Sequence, residues 1–176
     1  RGADVEYDRV EAACRPDATS PTLYVWDVQG DRHGWRALGA CRLDAASLIA
    51  VDRGFVPVAG GRLESPATAL APIGKVTGQL RRPSTAGAFD QPGSAAHGFH
   101  SRRAAIAELA RRVPGRYAPL LIVADREAPA PSGVAPAPLP TNIPNNHLGY
   151  ALTWFGLALA LIGVYAGALI KRRRRS

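Results

Sequence analysis

The amino-acid sequence predicts an α+β domain dominated by antiparallel strands, followed by a C-terminal transmembrane helix. Three observations carry this expectation. Short apolar runs bounded by Gly, Pro and Asp fill the first part of the chain, one segment near 102–113 has the helical period, and an apolar run ends on a block of cations. The boundaries that follow are a β-rich domain over 1–127, a Pro-rich tether over 128–144, a transmembrane helix over 145–170 and a basic tail over 171–176.

Six runs read as strands: "VEYDRVEAAC", "TLYVWDV", "WRALGACRL", "SLIAVDRGFVP", "KVTGQLRR" and "APLLIVADRE". In the fourth, period-two alternation puts Ile49, Val51, Arg53 and Phe55 on one face. Gly54 lies among them, and a glycine inside a strand points to a bulge or to the close approach of another backbone. In "SRRAAIAELARRVPG", Ile106, Leu109, Ala110 and Val113 fall at i, i+3, i+4 and i+7. Ser101 is the expected N-cap, Pro114 and Gly115 the stop, and Glu108 can pair with Arg111 or Arg112. This helix is expected to pack one face on a sheet. The prolines of "APAPSGVAPAPLPTNIP", residues 128–144, exclude a helix interior or central strand and favour extended polyproline geometry. There is no internal repeat of fixed period, which argues against solenoids and propellers.

The uncharged run Leu148 to Ile170, at about 1.5 Å per residue, is long enough for a hydrocarbon core of about 30 Å. Membrane lipid is therefore an expected partner. "KRRRR" after the run belongs on the cytoplasmic face, or on the matrix face in a mitochondrion, so the domain before it faces the periplasm or the intermembrane space. The chain starts at Arg1 and contains no Met, so a further N-terminal segment is expected.

The net charge of +8 looks like a nucleic-acid signature until it is divided along the chain. Five of the 22 cations stand at 171–175, leaving 17 against 14 anions. The arginine pairs at 81–82, 102–103 and 111–112 are scattered among alanines, whereas a nucleic-acid partner needs a basic patch that tracks phosphate. Nucleic acid is thus not an expected partner. Cys14 and Cys41 lie in the outward domain, where oxidation is permitted, and read either as two small buried residues or as one structural disulfide.

No C-x-x-C or C-x-x-C-H sequence is present, the chain has no Met to help bind copper, and no G-x-S-x-G elbow is found. His97 and His100 in "HGFH" offer two ligands where a closed zinc site takes four. The expectation is a protein without turnover of its own.

On the span, Gly149, Gly156 and Gly163 recur every seven residues, Gly167 completes a G-x-x-x-G pair, and Thr153 and Ala160 fill the same stripe. Small residues of this kind let helices approach closely in lipid, although an ordinary lipid-facing span can carry them too. His147, Tyr150, Ala151 and Trp154 stand at i, i+3, i+4 and i+7, so they share a side. That side could hold a flat macrocycle with His147 as an axial ligand of haem iron, or simply anchor the helix at the lipid interface. Asn145 or Asn146 can cap the first turn.

"VDRGFVP" at 51–57, "GKVTGQL" at 74–80 and above all "NNHLGYALTWFGLALALIGVY" at 145–165 resemble the surfeit locus protein 1 family of cytochrome c oxidase assembly factors. The resemblance runs in order from residue 5 to residue 170 and implies an N-terminal transmembrane helix preceding this sequence. It also implies a role in building the haem a-containing centre of the oxidase's largest subunit. Under it, His147 matches the histidine of the family's span motif and becomes the expected haem a iron ligand, with Tyr150 and Trp154 lining the macrocycle. The implied partners are the largest oxidase subunit and the haem a-synthesising enzymes. The implied place is a bacterial inner membrane, or alternatively the mitochondrial one. A membrane-anchored scaffold for oxidase subunits that never binds haem is the alternative function. "FHSRR" departs from the family pattern in lacking an Asp, and "PTNIPNNH" lacks the expected Gly-Thr-Arg-like approach to the span.

Overall fold

The computed structural model describes residues 5–29, 31–58, 66, 69–83, 93–94, 96–136 and 147–174. The chain divides into two units, Arg1–Pro138 and Leu139–Ser176. The first holds β1 (Arg9–Ala13), β2 (Leu23–Gln29), β3 (Arg32–Arg42), β4 (Ser47–Pro57), β5 (Lys75–Arg81), α1 (Arg102–Arg112) and β6 (Arg116–Ala128). Each strand falls on one of the six expected runs.

The strands form one sheet in the order β1-β5-β6-β4-β3-β2. Every neighbouring pair is antiparallel except β4 with β6, which is parallel. In a flat sheet, β1 and β3 would stand about 19 Å apart, since neighbouring strands are about 4.8 Å apart. Yet Cys14, just past β1, is disulfide-bonded to Cys41 of β3 with a Cα–Cα distance of 5.1 Å, and Arg15 bridges to Arg42. The sheet is therefore rolled, so that the end of its β1 edge meets β3. Of the two readings open for the cysteines, the disulfide is the one observed.

Inside the roll, Cys14, Cys41, Ile49, Val51, Ile73, Val76 and Ile122 form one core cluster. Leu23, Val25, Leu38 and Leu48 form a second with Phe99, Ala105, Leu109 and Val113, which joins α1 to the sheet. Ser101 caps α1 by accepting from the Ala104 backbone N–H at 3.2 Å, and Glu108 bonds both Arg111 and Arg112. The buried stripe of the helix is turned slightly from the expected one. Ala105 and Leu109 are fully buried, while Ile106 and Ala110 are half-buried at its flanks.

Strand β4 is covered on both faces, as a central strand must be. Its pairing with β3 shifts between Ala37 and Leu38, which face Gly54 and Asp52 and leave Arg53 as the extra residue of a bulge. The bulge resets the alternation. Phe55 pairs with Arg36, whose side chain bonds Asp52, so Phe55 leaves the face of Ile49, Val51 and Arg53 that simple alternation had assigned it. Gly54 has φ +131, and a Cβ there would collide with the carbonyl oxygen of Ala135. Ala135 exchanges two backbone hydrogen bonds with Phe55, at 2.7 and 2.8 Å. Gly54 is thus both in a bulge and under another backbone. The first part of the Pro-rich segment consequently folds back onto β4, while the rest of it, together with Asn145 and Asn146, lies outside the described residues.

The second unit contains α2 (His147–Arg173), a continuous helix that is long and apolar enough to cross a membrane.

Candidate functional site

Of the residues singled out for binding, His147, Tyr150 and Trp154 all lie in the first two turns of α2. Helical geometry gives them a common side, with Trp154 about 10 Å along the axis from His147. Tyr150 and Trp154 are 66% and 70% exposed, and His147 is exposed as well, so all three rings stand on the helix surface. Lys171, Arg172 and Arg173 close the opposite end of α2.

The domain holds a second concentration of chemistry, which sequence reasoning reached only at Arg53 and Gly54. Asp52 is fully buried and accepts from Arg36 Nε at 2.9 Å and from Arg102 Nε at 3.0 Å. Asp27 stands at 3.6 Å from Arg102 and at 3.9 Å from Arg36. Arg102 opens α1, so this network ties the helix to the sheet. On the other face, Arg53 meets Glu127 of β6 through Nε and Nη2 at 2.9 to 3.2 Å, with both side chains nearly sealed from solvent. Burial pushes the Glu127 carboxyl above its ordinary value, and the bonds from Arg53 oppose that rise. Burial also raises the Tyr24 phenol and takes Tyr117 up to about 12. One signal for the network was present in the sequence. Two charges in the middle of an otherwise apolar strand, "SLIAVDRGFVP", have to be paired if that strand is central.

His33 and His97 make local contacts. His33 stacks on Trp26 with ring centroids 6.0 Å apart, and Trp26 meets Trp35 edge-on at 5.0 Å. His97 Nδ1 lies 3.1 Å from Ser94 Oγ. In the "HGFH" loop, Phe99 is buried and exchanges backbone hydrogen bonds with Tyr24 and Trp26, so the loop extends the β2 edge. Among the described residues, no group of three or more His, Cys, Asp or Glu could hold a metal ion.

Compared with known protein families, residues 2–159 match the SURF1 family. No curated protein and no solved structure matches the chain. The matched range takes in the Asp52–Arg53–Gly54 bulge of β4 as well as the head of α2, and the chain belongs to the SURF1 family, whose members serve in cytochrome c oxidase assembly.

Proposed function

We propose that the chain binds haem a as cargo through His147 and assists its insertion into the largest subunit of cytochrome c oxidase. The observation that supports this reading most is the common side of His147, Tyr150 and Trp154 at the start of an apolar helix. A neutral imidazole is a usual axial ligand of haem iron. His147 would hold the iron through one ring nitrogen, and the other would take a polar partner at the interface. Tyr150 and Trp154 would offer flat apolar faces to the macrocycle. In this reading the haem a-synthesising enzymes are the donors, and the chain has no turnover of its own. The domain stands in the periplasm of a bacterium, with the cationic end of α2 in the cytoplasm.

An optical spectrum of the full-length protein, purified in detergent from haem a-producing cells, tests the reading. Haem absorbance is expected, and His147→Ala is expected to abolish or strongly weaken it while insertion and domain folding persist. An unchanged spectrum and stoichiometry in His147→Ala would return the residue to the interfacial anchors. Purified protein that converts one haem type into another would overturn the absence of turnover. Orientation is tested separately: a cysteine placed at Ser132 should react with an impermeant reagent added from outside, and one appended after Ser176 should not. The opposite pattern overturns the topology.

One observation favours the scaffold reading. Gly149, Gly156 and Gly163 recur every seven residues of α2, a small-residue stripe of the kind that lets a second helix approach closely in lipid. Co-purification of oxidase subunits without haem absorbance would select that reading.

A further inference from the structure

Under the Pro-rich segment that follows β6 there is a cavity of about 210 Å³. Ala124, Ala130, Pro131, Val134 and Pro136 give it apolar walls, Arg53 and Glu127 line it as a buried pair, and Asp125 and the exposed Arg126 line it too. A volume of about 150 Å³ is already large enough to take up benzene. The space is a cleft partly open to solvent, with Ala130 and Pro136 exposed along it, and its volume is enough for a six-membered ring.

The charged pair narrows its chemistry. The side chains of Arg53 and Glu127 are 3% and 2% exposed. Arg53 Cδ lies beside Gly39, so the aliphatic stem runs through the domain interior while the guanidinium reaches Glu127 at the cavity. Nε and Nη2 are committed to the carboxylate, and Nη1 has no hydrogen-bond partner among the described residues. A guanidinium carries five N–H donors, so Arg53 keeps donors to offer. The pair is already balanced in charge. Asp125 is paired with Arg9 at 2.7 Å and the charge of the exposed Arg126 is screened by solvent, so at the buried pair an anionic ligand would face Glu127 and a cationic one would face Arg53.

We propose that this cavity is a binding site for a small neutral molecule with an apolar body and a carbonyl or hydroxyl acceptor. The walls hold the body, and the Arg53 guanidinium donates to the acceptor. The site lies wholly within the first unit and does not depend on haem binding at α2.

The test uses the full-length chain in lipid nanodiscs with methyl labels on alanine and valine. Three probes with the same six-membered ring are titrated: cyclohexanone, cyclohexane and cyclohexanecarboxylate. Cyclohexanone is expected to shift the Val134 and Ala130 methyl signals saturably, with cyclohexane about tenfold weaker for want of the hydrogen bond. The carboxylate is expected to bind more weakly than the ketone. Ala130→Leu narrows the cavity and should weaken the saturable shift of Val134, with unchanged Phe55 and Ala135 amide signals reporting an intact fold. The ranking of the three probes on the unaltered chain needs no variant. Absence of a saturable shift, equal affinity for cyclohexane, preference for the carboxylate, or unchanged cyclohexanone affinity in a folded Ala130→Leu chain would each overturn the proposal.

Discussion

Asp52 and Arg53 are neighbours in β4 that send opposite charges to opposite faces of the sheet. Neither is solvated, so each depends on partners brought from elsewhere in the chain: Arg36 and Arg102 for Asp52, and Glu127 for Arg53. Removing one member of such a buried group leaves a charge without compensation, which costs about 3 to 5 kcal/mol. Asp52→Ala strands the buried guanidinium of Arg36. Its urea midpoint should fall by an amount equivalent to that cost, and a change below about 1 kcal/mol, the range of exposed ion pairs, would contradict the role assigned here. Gly54 was legible in the sequence because only a backbone constraint explains a glycine in a central apolar strand. The partners of Asp52 were not, because residues 16 and 50 positions away come together only through strand pairing and helix docking. The Phe55 face was misread for a related reason: a bulge adds one residue without leaving any mark in composition. At the head of α2 the sequence places the three rings on one side, but what they hold is a matter of ligand chemistry that periodicity does not encode.

Local chemistry made the elements the most legible scale. The cap at Ser101, the pairs of Glu108 and the Pro114–Gly115 stop follow from side-chain reach over three or four residues, and α1 forms where they predict it. The buried stripe shifted toward Ala105 because a small residue lets the helix sit close to the sheet. The β3–β4 turn carries a similar local device, in which Asp44 accepts from the backbone N–H groups of Ala46 and Ser47 at 2.8 and 2.7 Å. These bonds, that of Ala46 first, hold the Asp44 carboxyl below its ordinary value of 3.8. A lowered carboxyl contributes stability above its unfolded value and loses it as pH falls through the folded one. Asp44→Ala should therefore unfold at lower urea than the parent at neutral pH, and the gap should close as both are taken to about pH 2, below both values. A gap that stays constant with pH would show that the turn gains nothing from the ionised group. The parallel pairing of β4 with β6 had no local signal. It arises because β6 inserts between β5 and β4, an outcome of the whole sheet's order.

For the molecule as a whole, the sequence conveyed the two parts and the strands but not how the sheet closes on itself. Cys14 and Cys41 left two readings open, since 27 residues of separation fit a buried pair or a bond equally well. Once the sheet rolls, the bond joins the end of β1 to β3 and closes a loop that the unfolded chain would otherwise explore. For a loop of this length the loss of that entropy corresponds to about 3 to 4 kcal/mol. Cys41→Ser should lower stability by that order, and reductant should lower the melting temperature of the parent while leaving the variant unaffected. Equal sensitivity of both to reductant would contradict a stabilising bond. The span was the clearest large-scale feature, because an uncharged run closed by cations is a property of composition and length alone.

The pairing of Ala135 with Phe55 decides where a mechanical load enters the domain. Tension on the chain between the domain and α2 does not first reach the end of β6. It reaches two hydrogen bonds to β4, a strand flanked on both sides by β3 and β6. Those two bonds act as a fuse. They can part and release the segment between Ala128 and Ala135 as slack before any strand of the sheet is peeled away, so a tug from the membrane is absorbed while Arg53, Glu127 and the rolled core stay in place.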